Sequence, residues 1–189
     1  MVLLEGEKVS LRPLEPDDKH DIFKATNDPI AAGEFDVFQL TSWAEIEKWF
    51  KEEKDPHEFT TLIIEKKEDK SKIGIVVHYL VHPALRNIEV GFQIWSENDR
   101  KKGYATEAVK LIVDYLFSTR FIERIQATTS TQNKATQRVL ENCGFLKEGM
   151  MRASLFAMGR FHDTFIYSIL REEWTSRAQK KTDYPIDSS

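Results

Sequence analysis

Six residues, Arg100–Lys101–Lys102–Gly103–Tyr104–Ala105, place three cations, a glycine and a small residue side by side. Upstream, Ile88, Val90, Phe92 and Ile94 alternate with Glu89, Gly91 and Gln93, and that period of two predicts a strand over Asn87 to Trp95. Downstream, Ala105, Ala108, Val109, Ile112, Val113 and Leu116 recur at helical spacing, opposite Glu107, Lys110 and Asp114. A helix N-terminus offers unpaired N–H groups and the positive end of a dipole. Gly103 and Ala105 keep bulk away from that backbone, and Arg100, Lys101 and Lys102 add charge. The chemistry this suits is binding of an anion such as a pyrophosphate. The loop is neither GxxxxGK[ST] nor GxGxxG. By itself it equally describes a solvated basic turn.

The elements that must position it come from a chain of 189 residues, a length for one domain with a sizeable core. Net charge is −4, which disfavours broad phosphate attraction and hence a nucleic-acid partner, and mildly favours amine substrates. No apolar run approaches a membrane span, and Met1 to Lys8 does not read as a secretion signal. Cys143 is the single cysteine, so no internal disulfide forms and a reducing, cytoplasmic location is expected.

In order, the pattern predicts a strand over Lys8–Leu14 and a helix from Pro16–Asp17–Asp18 to about Ala25. A loop over Ile30–Leu40 follows, then a helix capped by Thr41 with Trp43, Ile46, Trp49 and Phe50 inward. Phe59–Glu65 and Ile73–Val81 form a hairpin, the second strand buried on both faces and ended by His82–Pro83. After the central strand, loop and helix come a strand at Arg124–Thr129 and a helix capped by Asn133 and closed by Gly144. Met150–Phe156 and Phe161–Leu170 form the last hairpin, and Thr175–Ser189 reads as a frayed polar tail.

This order, with [RQ]-x-x-G-x-[GA] after the fourth strand, resembles the GNAT N-acetyltransferases. Within them it is similar to the ribosomal-protein alanine N-acetyltransferase (RimJ/RimL-like) group. The similarity is carried by Val9–Ser10–Leu11–Arg12–Pro13–Leu14, by Glu89–Val90–Gly91–Phe92–Gln93–Ile94 and by Gly103–Tyr104–Ala105–Thr106–Glu107–Ala108. It continues through Asn133-x-x-Thr136, Asn142–Cys143–Gly144–Phe145, Glu148–Gly149, Gly159–Arg160, Asp163 and Arg171–Glu172–Glu173–Trp174. The resemblance implies an α+β fold over residues 1–174, with 175–189 as a tail. Its central sheet is mixed, mostly antiparallel and seven-stranded, carries helices on both faces, and is splayed between strands 4 and 5.

The resemblance also implies acetyl-CoA as co-substrate and direct transfer of the acetyl group to a primary amine. The pantetheine arm would lie in the splay along Ile94, Trp95 and Ser96. A bulge late in the fourth strand would free a backbone N–H to polarise the thioester. The pyrophosphate would sit on Lys101, Lys102, Gly103, Tyr104, Ala105 and Thr106, with Arg100 alongside. Glu89 is the candidate general base, since a carboxylate on a core strand is costly without a task or a partner. The tyrosine that many GNATs use to protonate the thiolate is absent from Val139–Leu140–Glu141–Asn142–Cys143. Thr136, where the group carries a serine, is the candidate in its place. Asn133 is expected both to cap its helix and to touch CoA or an ordered water. Glu34, Phe35, Asp36 and Phe38 are expected to line the acceptor side.

The acceptor implied is a protein N-terminus, with polyamines, amino acids and aminoglycosides as the small-molecule alternative. A non-catalytic acyl-CoA sensor is the rival outside enzymes, and a nucleotide-binding domain is a further one. No metal is expected: His78 and His82 lie on a strand, where they share no helix face. Cys143 reads as a small buried residue, not a nucleophile. A homodimer through the last strands or near Trp174 is left open.

Overall fold

The structure, a computed structural model, describes residues 4–52, 55–82, 84 and 86–182. Met1 of the leading stretch, Pro83 and the tail beyond 182 lie outside these residues. One sheet runs through the molecule in the order β1-β2-β3-β4-β5-β6-β8-β7. Its strands are β1 (Leu4–Glu5), β2 (Val9–Pro13), β3 (Phe59–Lys66), β4 (Lys72–His82), β5 (Asn87–Ile94), β6 (Arg124–Ser130), β7 (Leu146–Ala157) and β8 (Arg160–Leu170). The helices are α1 (Lys19–Thr26), α2 (Pro29–Ala32), α3 (Trp43–Lys51), α4 (Tyr104–Thr119), α5 (Lys134–Cys143) and α6 (Arg171–Thr182). The mixed, mostly antiparallel α+β plan is the expected one. Among the described residues the strands number eight, not seven, because Leu4–Glu5 pairs with Leu11 and Ser10.

Among the described residues only β5 and β6 pair in parallel, which requires a crossover, and α4 provides it. Its stripe of Ala108, Val109, Ile112, Val113 and Leu116 is buried against Leu11, Ile64, Val76 and Val90 on one face of the sheet. A smaller cluster of Ile22, Ile46 and Ile63, with Trp49, Ile75 and Trp95, fills the other face beneath α1 and α3.

Five local expectations are corrected. Within the predicted loop, Pro29–Ala32 is helical: Asp28 accepts the Ile30 N–H and Pro29 occupies the first position. Ser42, not Thr41, caps α3, through a reciprocal pair with Glu45. β7 starts at Leu146, and its register slips between Met151 and Leu155. The stretch expected to fray from Thr175 is helical to Thr182, so the boundary placed at Trp174 falls inside α6. There Trp174 stacks on Phe117 and donates to Asp114. β4, expected to be buried on both faces, is so only in its first part; Tyr79 and Val81 are exposed.

The splay is visible in the pairing. β5 and β6 pair at Asn87↔Arg124, Ile88↔Ile125 and Glu89↔Gln126, then stop. Beyond Glu89, each strand is held by its other neighbour. β5 stays with β4 as far as Gly74↔Ile94, and β6 stays with β8 as far as Ser130↔Thr164. The expected late bulge is not what opens the gap: β5 keeps an unbroken register with β4 from Ile88 to Ile94, and the slip lies at Leu80/His82. Gly74 tightens the β4 side, because a Cβ there would stand 2.0 Å from the Gln93 carbonyl oxygen.

A buried ionic knot fixes the N-terminal elements. The Arg12 guanidinium grips Asp18 at 2.7 and 2.8 Å and donates to Glu65 at 2.6 Å. Lys72 reaches Asp18 at 2.8 Å. Burial works to raise the Asp18 pKa, but hydrogen bonds from Arg12 and Lys72 outweigh it and hold the carboxyl well below its usual range. A carboxyl depressed in the fold contributes stability above its unfolded pKa and loses it as pH falls through the folded one. Asp18→Ala leaves Arg12 buried with one fewer partner. It should lower unfolding free energy by about 3–5 kcal/mol at pH 7, by denaturant titration. The deficit should shrink in acid.

Candidate active site

The loop between β5 and α4 contains the feature with the clearest chemical meaning. The first helical hydrogen bond of α4 is Glu107 N–H to the Gly103 carbonyl. Lys101, Lys102, Gly103, Tyr104, Ala105 and Thr106 donate their backbone N–H groups to no acceptor among the described residues. Lys101 at φ 62° and Gly103 at φ 88° are left-handed and curl the chain into this row of donors. Unpaired N–H groups at the start of a long helix form an anion site. Lys8, Lys66, Lys67, Lys102 and Tyr104, with Glu7 and Glu68, line an open cleft of about 500 Å³ beside it, four cations against two acids. Glu107 anchors the assembly by accepting the N–H groups of Glu7, Lys8 and Val9.

Arg100, predicted to lie against the pyrophosphate, is directed elsewhere. Its Nε donates to the Ile94 carbonyl at 3.2 Å and one Nη to the Ile30 carbonyl at 2.7 Å. It acts as a strut between the end of β5 and α2. The Ser96 hydroxyl likewise accepts from the Asn98 N–H and caps a short turn.

The open edge of β5 offers backbone instead of side chains. Alternate residues of a strand direct their polar backbone groups to opposite edges. Trp95 N–H is taken up by the Ile73 carbonyl on the β4 side, so it is not free for the thioester. By alternation, Val90, Phe92 and Ile94 present theirs to the gap. Val90 and Phe92 were missed from sequence because their apolar side chains fill the core while their function would lie in the main chain.

Glu89 stands where pairing with β6 ends, at the vertex of the gap. Its carboxylate accepts from Gln126 Nε2 at 2.9 Å and from Thr128 Oγ1 at 2.8 Å. Gln126 in turn accepts from Asn87. Tyr79 faces Glu89 across the β4–β5 pair; burial, then the Glu89 charge and hydrogen bond, push its phenol up to about 12. Sequence could not supply Gln126, Thr128 and Tyr79, which come from two other strands. From Glu89 to Ile94, the end of β5, is roughly 16 Å of strand, so the open edge of β5 has room for an extended chain lying along it.

Asn133 begins α5 at the far end of β6, across the gap from the end of β5. Its Oδ1 accepts the Thr136 N–H at 3.1 Å, so it is the expected cap. The Thr136 hydroxyl is half-buried and has no hydrogen-bond partner among the described residues. On the acceptor side, Phe35 meets buried His162 edge-on at 6.1 Å, joining the α2–α3 loop to the last hairpin. The Asp36 carboxyl keeps an exposed surface, yet desolvation raises its pKa against a hydrogen bond from the Val37 N–H. Glu34 and Phe38 are exposed beside it.

Among the described residues no cluster of His, Cys, Asp and Glu could hold a metal. Cys143 is buried, donates to the Thr106 carbonyl, and its thiol is pushed up to about 12 by burial. A shift of that size leaves roughly a thousandfold less thiolate than an ordinary cysteine. Iodoacetamide should therefore label the native chain at least about a hundredfold more slowly than the unfolded chain. Equal rates would contradict the buried placement.

The acetyltransferase (GNAT) domain family matches residues 8–146. YoaA of Bacillus subtilis, an uncharacterized N-acetyltransferase, is 35% identical over 108 residues, 57% of this chain and 60% of that protein. The [ribosomal protein uS5]-alanine N-acetyltransferase of Escherichia coli is 28% identical over 113 residues, 57% of this chain and 56% of that protein. The structure of spermidine N-acetyltransferase from Vibrio cholerae, in complex with CoA and spermine, superposes with a TM-score of 0.79 at 23% identity. That superposition covers 90% of this chain and 99% of the other, and at this identity it shows the fold. With the family match spanning most of the chain, and the splayed sheet and loop as described, the protein belongs to the GNAT acetyltransferase family.

Proposed function

We propose that the protein transfers acetyl from acetyl-CoA directly to a primary amine, most consistently a protein N-terminal amine of the ribosomal-protein kind. The observation that carries the reading is the pairing of a carboxylate at the vertex of the splay with the row of unpaired N–H groups at its mouth. The N–H groups of Lys101 to Thr106 hold the pyrophosphate, with Lys66 and Lys102 at hand for the remaining phosphate charge. The pantetheine amides hydrogen-bond as a strand would to Val90, Phe92 and Ile94. An N–H of that edge polarises the thioester carbonyl as it becomes an oxyanion. Glu89, oriented by Gln126 and Thr128, takes a proton from the ammonium, directly or through a water, and so frees the amine to attack. The amine adds to the carbonyl carbon, the C–S bond breaks, and the second proton lost from nitrogen goes to the departing thiolate, giving amide and CoA thiol. The Thr136 hydroxyl donates to the departing sulfur, and Asn133 holds that helix end in place.

Glu34, Phe35, Asp36 and Phe38 form the acceptor wall, with acids for the ammonium group and rings for the stem that carries it. Arg152 and Arg160 lie exposed on the facing hairpin. They disfavour a polyamine, whose several cations they would repel, and suit peptide carbonyls. A small amine remains the second reading, because Glu34 and Asp36 are also what a diamine would seek.

A homodimer would form through the last hairpin, where Leu146, Met150 and Phe156 of the edge strand β7, Met158 of the turn and Phe161 of β8 are exposed. The Trp174 region is occupied within the chain. Cytoplasmic action fits a chain whose one cysteine is a free thiol, and no helix among the described residues is long and apolar enough to cross a membrane.

The test is release of CoA thiol from acetyl-CoA against peptides beginning with Ala, Ser or Met, alongside spermidine, amino acids and an aminoglycoside. We expect kcat/KM at least about tenfold higher for one peptide class than for any small amine, a difference of about 1.4 kcal/mol. Preference for spermidine would move the acceptor to the small-amine class. Silence across the panel with intact CoA binding would favour a sensor.

A further inference from the structure

Arg100 joins two regions that the reaction must bring together. In the chain it directly precedes Lys101, where the anion loop begins. Its guanidinium spans two other elements. Nε donates to the Ile94 carbonyl at 3.2 Å, while one Nη donates to the Ile30 carbonyl at 2.7 Å and reaches the Ala31 carbonyl at 3.5 Å. The other Nη stands 3.9 Å from Glu97. Ile94 is the last residue on the open edge of β5. Ile30 and Ala31 belong to α2, whose closing carbonyls lack partners within so short a helix. Gly33 follows at φ 76°, with nothing within 4 Å of a Cβ built there, and leads straight into Glu34, Phe35, Asp36 and Phe38.

Hydrogen bonds fasten this loop at two points. At its base, Asn27 Nδ2 donates to the Thr41 carbonyl at 3.0 Å and the Thr41 N–H donates to Asn27 Oδ1 at 2.9 Å. The Arg100 fork on α2 is the second. Between them, residues 34–40 make no hydrogen bond to the sheet among the described residues. The ring contact of Phe35 with His162 is a further tie, without a hydrogen bond.

We propose that Arg100 is a positioning residue that couples the two substrate sites, setting the acceptor loop 33–40 when the donor cleft is filled. This rests on the donor and acceptor assignments above. An anion held by the N–H groups of Lys101 to Thr106 fixes the backbone one residue on from Arg100. An extended chain along the edge of β5 fixes Ile94. The guanidinium is planar, so fixing its root and its Nε acceptor also orients the arm on α2. The loop then loses freedom when the donor binds, and the amine meets an ordered wall. By linkage, an amine on that wall tightens donor binding by the same factor. A lysine keeps the charge, but its single ammonium on a flexible stem cannot hold both carbonyls in one plane.

CoA is the probe, titrated into the full chain and followed by amide NMR shifts and calorimetry, with Arg100→Lys and Arg100→Gln beside the wild type. In the wild type, amides of residues 33–40 should shift saturably with the same midpoint as those of 101–106. In both variants the 101–106 shifts should persist, with Kd within about threefold of wild type, the scale of a surface charge. The 33–40 shifts should be lost. A strut that only shapes the fold would give no CoA-linked shift at 33–40 even in the wild type, so that result, with 101–106 responding, would overturn the coupling and leave the donor site standing. This arm needs no variant, so the proposal stays testable if either substitution misfolds. Shifts at 33–40 that persist in both variants would take Arg100 out of the coupling. A tenfold loss of CoA affinity in Arg100→Gln, with Arg100→Lys near wild type, would make Arg100 a phosphate ligand instead. No response at 101–106 would remove the donor site, and the coupling with it.

Discussion

Glu89→Gln should lower kcat about 10²- to 10⁴-fold at pH 7, the range for loss of a positioned base. The dissociation constant for CoA should stay within about twofold of wild type, because Glu89 lies at the vertex and not on the anion loop. The replacement is nearly isosteric, and its amide oxygen can still accept from Gln126 or Thr128, so the fold should survive. Two further readouts separate a base from a structural carboxylate. First, a free α-amine has a pKa near 8, so a substrate that deprotonates itself in mild alkali needs the base less. The deficit should therefore narrow as pH rises above about 9. Second, the Tyr79 phenol is held up by burial and then by Glu89, so its pKa should fall from about 12 when the charge is removed. Unchanged kcat/KM would take Glu89 out of the mechanism, whatever Tyr79 did.

Gly103→Val should weaken CoA binding by at least about tenfold, and by up to about a hundredfold, in calorimetry. The reason is conformational before it is steric. Gly103 sits at φ 88°, a region that costs an L-residue roughly 1–2 kcal/mol and a β-branched one more. Relaxing φ would rotate the row of N–H groups away from a common anion. A Cβ at Gly103 would meet only Lys8 Nζ at 3.4 Å, the movable end of a side chain, so packing does not forbid the substitution. Gly103→Asn, whose residue tolerates this region better, should lose less. Unaltered affinity in the valine variant would sink the assignment of the loop to the pyrophosphate.

How much of this was legible beforehand follows from what each signal needs. The strand at Asn87–Ile94, the helix beginning at Tyr104 and the basic loop between them came from local periodicity and composition. Both survive in the structure because they report on a few consecutive residues. The short helix at Pro29–Ala32 was missed because four residues carry too little period to register. The helix from Arg171 to Thr182 was missed altogether, because its composition is polar and Trp174 is its one large apolar residue. Arg100 was misplaced for a different reason: a guanidinium in a basic loop looks like a phosphate ligand, and only tertiary contact shows its donors turned to the Ile30 and Ile94 carbonyls.

By itself, then, the sequence determined the order of elements, the glycine-hinged anion loop and a carboxylate on a core strand, because each depends on neighbours in the chain. The tertiary structure alone decided where β5 and β6 part, since that depends on Gly74 against Gln93 on one side and on β8 on the other. It alone surrounded Glu89 with Gln126, Thr128 and Tyr79, which lie far from it in the chain and meet it only across hydrogen-bonded strands. Pairing between distant segments sets both, and no local pattern encodes how far two strands will run together before another neighbour draws one away.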